Sequence, residues 1–213
     1  MTKLAFRFEK ILNELTPCQT FADVGCDHGY VAREMILRGK SKFVYVTDIS
    51  AECLQKADSL LSKDCQGSFK AIVTDGLKNV PNVEQVLIAG MGGEIICNII
   101  KNADFLPERL VVQPMKNSEK VRKTLIKLGY KLINDYTFKD IKYYDIIVCE
   151  KGCDSYTPDE LLFGRDNLKR KEPAFVEQIS NKIAILKRAI PEMSDSDRQK
   201  ANNLIEKYTE VIK

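Results

Sequence analysis

The stretch FADVGCDHGYVA, Phe21 to Ala32, decides how the chain is read. It opens on apolar residues of strand type, turns through Gly25 and Gly29, and runs into a helical pattern. A strand passing through a glycine turn into a helix is the first unit of a parallel α/β sheet. Ligands of such sheets sit beyond the carboxyl ends of the strands. The turn spells D-x-G-x-x-x-G from Asp23 to Gly29 and holds Asp27 and His28, the single histidine of the chain. The nicotinamide fingerprint G-x-G-x-x-G, which lays a pyrophosphate on a helix N-terminus, is absent. A nucleoside without that pyrophosphate therefore suits the turn better than a dinucleotide.

The same alternation continues outward. Residues 1 to about 16 read as an amphipathic helix, because Arg7, Glu9, Lys10 and Glu14 interrupt what would otherwise pass for a targeting segment. KFVYVTDIS, SFKAIVTDG, EQVLIAGMGG and RLVVQPM read as further strands, with helices between them. Ser50 is placed to cap the helix that follows the second strand, and Pro114 ends the fifth. KLINDYTFKDIKYYDIIVCEKG predicts a closing hairpin, and with it an antiparallel edge. The expectation for residues 1–153 is a Rossmann-like, doubly wound α/β domain. Residues 154–213 carry no strand signal. Phe175, Ile179, Ile183, Leu186 and Ile190 form one helical stripe, Pro191 breaks it, and Ser194 or Ser196 can cap a last helix. An antiparallel, coiled-coil-like helical appendage is expected there.

Composition narrows the class. Seven cysteines, an odd number with no C-x-x-C pair, suggest reduced thiols in a cytoplasm; together with one histidine they argue against a structural metal. The longest apolar runs are too short to span a bilayer. The net charge of +3 is small but unevenly placed. The segment Lys116 to Lys131 carries Lys116, Lys120, Arg122, Lys123, Lys127 and Lys131 against the single acid Glu119. Such a cluster fits a directed anionic partner, although solvated helix faces are the commoner origin of any one cluster.

Other strand ends repeat the signal of the first. Asp48 ends the second strand, where a carboxylate can accept both hydroxyls of a ribose. Asp75-Gly76 ends the third, placed to accept from an adenine amine. Ala89-Gly90-Met91 ends the fourth, where glycine lets the backbone approach a ligand and methionine can pack on a ring or a sulfur. Each end alone is weak, since Asp-Gly is commonly only a turn.

Together these ends resemble those of class I S-adenosylmethionine-dependent methyltransferases. More narrowly, ADVGCDHGYVA, LIAGMGGEII, LVVQPMKNSEKVRKTLIKLGYKL and YYDIIVCEKG, with FRFEKILNELTP and FGRDNL, resemble the bacterial tRNA (adenine(22)-N1)-methyltransferase family, TrmK. The resemblance implies S-adenosyl-L-methionine as cofactor and tRNA as partner, with methylation of N1 of an adenine in the D-arm region. Asp23, Gly25, Asp27, Gly29 and Tyr30 would line the cofactor, with Asp48, Ile49, Asp75, Gly76, Ala89, Gly90 and Met91. Asp27 and His28 would act at the acceptor, with Gln113 and Pro114 positioning the base. Lys116, Lys120, Arg122, Lys123 and Lys127 would meet RNA, and Arg7 would meet RNA or the cofactor. The chain departs from the family pattern at Cys26, Gly29 and Met115. A cytoplasmic monomer without metal is expected. Two other readings stand beside this one: a small-molecule methyltransferase on the same fold, and a non-catalytic RNA-binding module with a retained cofactor pocket.

Overall fold

The apolar runs between residues 18 and 151 pair into one seven-stranded sheet in the computed structural model, which describes residues 5–213. The predicted first helix is α1 (Phe6–Glu14); the part of that expectation falling on residues 1–4 lies outside the described residues. The alternating elements follow as β1 (Cys18–Val24), α2 (Tyr30–Leu37), β2 (Ser41–Asp48), α3 (Ala51–Asp64) and β3 (Phe69–Val73). Then come β4 (Gln85–Met91), α4 (Gly93–Lys101), β5 (Arg109–Pro114), α5 (Ser118–Lys127), β6 (Tyr130–Lys139) and β7 (Tyr143–Lys151). Ser50 caps α3 as expected, accepting the Cys53 N–H at 3.3 Å.

The sheet order is β3-β2-β1-β4-β5-β7-β6, and β1 to β5 are parallel. Both faces are covered, so inward residues alternate between two apolar layers. Phe21, Leu87 and Val111 pack with Leu12, Met35 and Leu61 under α1, α2 and α3. Ala22, Ile88 and Val112 pack with Ile96, Val121 and Leu125 under α4 and α5. The hairpin differs from expectation in one respect. Its second arm, β7, inserts antiparallel between β5 and β6, so the edge strand β6 runs with the parallel set and only β7 is reversed. Hairpin pairing fixes that the two arms are neighbours, but not which of them meets β5.

Past the sheet lie α6 (Pro158–Phe163), α7 (Arg165–Arg170), α8 (Pro173–Ala189) and α9 (Asp195–Ile212). Phe175 near the start of α8 packs with Tyr208 and Ile212 near the end of α9, so the pair is antiparallel. Pro191 falls in a short 3-10 turn between them, and Ser194 is the cap of α9.

Short α7 and the end of α6 close the open edge of β6 with polar groups. The Asp135 N–H donates to Asp166 and the Thr137 N–H to Asn167, each at 2.8 Å. Asn167 in turn donates to the Thr137 hydroxyl at 2.9 Å and to the Phe163 carbonyl at 2.7 Å. Beneath them Arg122 corrects the sequence reading. Expected as an RNA contact, it has no exposed surface. Its Nε donates to both oxygens of Asp135, at 2.9 and 2.8 Å, and Nη1 donates to the Leu161 carbonyl at 3.0 Å. Asp145 lies 3.7 Å from Nη2. Its position beside Val121 on the buried face of α5 decides the matter, since a charge held there needs a partner inside the protein. Arg122→Met leaves Asp135 buried without its counter-charge. It is expected to cost about 3–5 kcal/mol of stability, read from urea unfolding; a loss below about 1 kcal/mol would mean that water already reaches the pair.

Candidate active site

β1 pairs with β2 on one side and β4 on the other; α2, which follows β1, packs on one face of the sheet and α4, which follows β4, on the opposite face. A crevice must open at the carboxyl ends where they part. A cavity of about 300 Å³ lies there, floored by Asp23, Leu87 and Ala89 and rimmed by Asp27, His28 and Asp48.

The turn after β1 is built for close approach. Gly25 donates its N–H to the Thr47 carbonyl at 2.7 Å and has φ +69°. The positive φ favours glycine, and the bare Cα leaves room for Met91 to lean across from β4, its methyl carbon 1.9 Å from where a Cβ would stand. Asp27 holds φ +47°, a left-handed conformation that aspartate tolerates and larger residues avoid. That backbone turns its carboxylate outward beside His28, whose Nε2 is 3.7 Å away. The His28 ring stacks on Tyr30 with centroids 5.4 Å apart.

Three carboxylates face one small space. Asp23 is buried, and desolvation pushes it up to about 7; a hydrogen bond from the Ala32 backbone pulls it back in part, and the charge of Asp48 raises it further. Asp48 is half-buried and already accepts the Ser50 N–H at 2.8 Å on one oxygen, which leaves the other for a ligand. Cys26 also lines the cavity, but burial pushes its thiol well up, so it is not a nucleophile. Such a cavity suits a cationic ligand bearing hydroxyls.

The cavity gathers Asp23, Gly25, Asp27, Tyr30, Asp48, Ala89, Gly90 and Met91 from the expected set. It leaves out four others. Gly29 caps α2 with φ +70°, and a Cβ there would lie 3.0 Å from that of Ala57, so it serves the packing of α2 on α3. Ile49 is 77% exposed beyond the rim. Asp75 turns to Lys78 at 2.9 Å, and Gly76 is buried against Ile99.

Of the acceptor pair, Gln113 is buried in β5; its amide nitrogen donates to the Pro114 carbonyl at 3.2 Å, and its Oε1 has no hydrogen-bond partner among the described residues. Pro114 lines a second cavity of about 430 Å³ with Lys116, Tyr143 and Asp145. The two cavities adjoin across one bond, from the Met115 N–H to the Met91 carbonyl at 2.8 Å. Lys120 pairs with Glu94, while Lys123 and Lys127 stand exposed on the face of α5 near Lys101.

Arg7, expected at RNA or at the cofactor, lines the first cavity from α1, with Phe8 and Ile11. Phe8 and Ile11 were beyond the reach of local patterning, because α1 enters the site only through its docking on the sheet. Among the described residues no group of three or more His, Cys, Asp or Glu side chains is placed to hold a metal, and no helix is long and apolar enough to cross a membrane.

The family model for TrmK, tRNA (adenine(22)-N(1))-methyltransferase, matches residues 21–213. The tRNA (adenine(22)-N(1))-methyltransferase of Bacillus subtilis is 29% identical over 157 residues, 70% of this chain and 66% of that protein. A Mycoplasma pneumoniae protein named provisionally as a tRNA methyltransferase is 35% identical over 111 residues, 50% of this chain and 51% of that one. The matched stretches thus span about half to two thirds of these curated relatives. Solved structures match over nearly the whole chain and share its fold. TrmK of B. subtilis has a TM-score of 0.87 at 22% identity, covering 100% of both chains. TrmK of M. capricolum, solved with S-adenosyl-homocysteine, has a TM-score of 0.88 at 24% identity, covering 99% of both.

The buried acid at the cavity floor has a pH signature. Native Asp23 titrates near 7 against 3.8 in the ordinary carboxylate, so the native state holds the extra proton between those values. Stability contributed by this group falls as pH rises through that window. Asp23→Asn is expected to gain on wild type from pH 4 to 7 and to hold a constant advantage above. Urea midpoints at pH 4.5, 6 and 8 check this, and a flat difference would show an unshifted carboxylate.

Proposed function

Because the chain belongs to the TrmK family of tRNA (adenine(22)-N(1))-methyltransferases, we propose that it transfers a methyl group from S-adenosyl-L-methionine to N1 of adenine 22 in tRNA. The observation that carries the reading is the cavity at the parting of β1 and β4, where Asp23, Asp27 and Asp48 converge. A sulfonium nucleoside is cationic and carries a ribose diol, so its charge and hydroxyls match these carboxylates. The absence of a pyrophosphate-binding glycine fingerprint accords with a ligand of that kind.

When bound, the cofactor supplies an activated methyl group on sulfur. Adenine N1 offers an in-plane lone pair, so no residue has to remove a proton before transfer. The work left to the protein is alignment and charge. Asp48 takes the ribose through its free oxygen. Gly25, Ala89 and Gly90 let the backbone close on the ligand, with Met91 packed beside it. Asp27, held outward by its left-handed backbone, faces the base; the N1-methylated ring is cationic, and this carboxylate stabilises the charge as it develops. His28 and Tyr30, stacked on one another, offer an aromatic wall. N1 lies on the Watson–Crick edge, so the adenine must be unpaired or extruded to reach Asp27. The adjoining cavity at Pro114 and Lys116 is the entry side for the base, and Lys120, Lys123 and Lys127 guide the phosphate backbone.

We place the reaction in the cytoplasm, in keeping with seven unpaired cysteines, and carried out by a monomer without metal. Residues 1–153 act as the methyltransferase unit and residues 154–213 as a helical unit beside it.

The direct test incubates the protein with labelled S-adenosyl-L-methionine and bulk tRNA from a strain lacking the activity, then identifies the labelled nucleoside. N1-methyladenosine is expected. Label at another position would overturn the acceptor, and binding of cofactor without label would favour the small-molecule enzyme or the binding module. Asp27→Ala is expected to lower the methylation rate by about 100-fold or more while tRNA affinity, read by filter binding, stays within about twofold. An affinity that falls in step with the rate would remove Asp27 from the chemistry.

A further inference from the structure

The second cavity carries one charged group set below its rim. Lys116, Glu119 and Lys182 line it with exposed side chains. Asp145 lines it too, and its side chain is only 19% exposed. The reversal of β7 puts it there. A strand running against its neighbours begins at the edge where they end, so the first residues of β7 stand beside the last of β5. Pro114 and Asp145 each lie two residues beyond the Val112–Ile147 pair, and both border the one cavity. On its other flank Pro114 pairs with Met91, which lines the first cavity. Met91, Pro114 and Asp145 thus follow one another across β4, β5 and β7, and two strand spacings, about 10 Å, separate the outer pair.

The carboxylate is held with one oxygen engaged and one open. The Thr137 hydroxyl donates to Oδ1 at 2.6 Å. That hydroxyl itself accepts from Asn167 at 2.9 Å, so its single proton is committed to Asp145. Oδ2 accepts no hydrogen bond from the described residues. The one cationic nitrogen of those residues within 4.0 Å of it is Arg122 Nη2, at 3.7 Å, too far for a hydrogen bond. A carboxylate oxygen can only accept, so a ligand beside it has to offer an N–H or an O–H. Adenine offers the N6 amine next to N1. Guanine and hypoxanthine carry O6 in that place, which a carboxylate repels. Methylation at N1 spreads positive charge over N1 and N6, so a contact to the amine strengthens as the reaction proceeds.

We propose that Asp145 accepts the N6 amine of the acceptor adenine, and so both selects adenine and steadies the charge that methylation places on its ring. This rests on the reading of the chain as an adenine-N1 methyltransferase. Asp27 approaches the ring from the first cavity and Asp145 from the second, with N1 over the partition between them. Asp145 neither gains nor loses a proton in the transfer. Thr137 and Asn167 act through it, by fixing its orientation.

Two tRNA transcripts that differ only at position 22 test the assignment: one carries adenine, the other purine, the same ring without the amine. Purine is the poorer nucleophile at N1, so the adenine-to-purine ratio of kcat/KM is compared between proteins. Asp145→Asn and Asp145→Ser are each expected to lower that ratio by about 10- to 100-fold, the scale of a hydrogen bond to a charged group, chiefly by slowing adenine. Asp145→Glu, which keeps the charge and the acceptor, is expected to keep most of it. Arg122 retains both oxygens of Asp135 and the Leu161 carbonyl in every variant, so folding is expected to survive; melting temperatures check this, and either folded variant of the first two decides. If adenine and purine are slowed equally, or neither is slowed, Asp145 does not read the amine. If Asp27→Ala collapses the ratio while Asp145→Asn keeps it, the amine is read from the first cavity. If wild type places no methyl group on N1 of adenine, the functional reading fails and this assignment with it. A wild type that does so, with a ratio indifferent to Asp145, overturns this assignment alone.

Discussion

The parting of the chain on either side of β1 governs the rest of the molecule. β1 hydrogen-bonds to β2 on one side and to β4 on the other, and each parallel neighbour has to be reached by a crossover of the same hand. The helix after β1, α2, packs on one face and the helix after β4, α4, on the other, so a space opens above the strand ends where they part. Every feature of the site follows from the need to line that space. Gly25 gives up its side chain for Met91, Asp23 accepts burial at the floor, and Asp27 accepts a left-handed backbone at the rim. None of these choices benefits an empty sheet, and each makes sense beside a charged nucleoside.

The other end of the sheet is governed by a different demand. β6 is an edge strand, and an unprotected edge is a template for unwanted pairing. Here its backbone amides are spoken for by Asp166 and Asn167 of α7, while Arg122 beneath them ties α5 to β6 and to the end of α6. The short helices thus belong physically to the sheet edge. The antiparallel pair α8 and α9 carries its own small apolar contact around Phe163, Phe175 and Ile179.

The sequence announced most of this architecture, because strands buried on both faces stand out as apolar runs and because glycine and aspartate mark their ends. Asp23, Asp27 and Asp48 could be picked out for the same reason: a carboxylate at the end of an apolar strand has few structural uses. What stayed hidden depended on long-range placement. Arg122 looked like one more cation in a basic helix. Only the inward acids Asp135 and Asp145, embedded in KLINDYTF and YYDIIVC, hinted that a buried positive charge was needed. Asp75 and Ile49 carried the right pattern at the right strand ends, yet Asp75 pairs with Lys78, Ile49 is exposed, and neither lines the cavity. Arg7 lies in a helix whose docking on the β6–β7 hairpin no local period encodes. The helix α6 did carry an unused signal, since TPDE is a capping box with proline at the first turn, and both of its reciprocal hydrogen bonds form.

The reversed strand β7 has a consequence for how the protein is made. It is the last strand to leave the ribosome, yet it sits inside the sheet, between β5 and β6. While the chain is being synthesised, β1 to β5 can assemble as each emerges, but the outer edge of β5 has no neighbour until residues up to Lys151 are available. The preceding strand β6 cannot serve in its stead, because its own partner is β7. The Arg122–Asp135 pair likewise waits for β6, and its capping carbonyl at Leu161 waits longer still. A nascent chain ending before Tyr143 thus presents a complete parallel half-sheet with a bare, apolar flank, the form in which this protein has most need of protection from its neighbours.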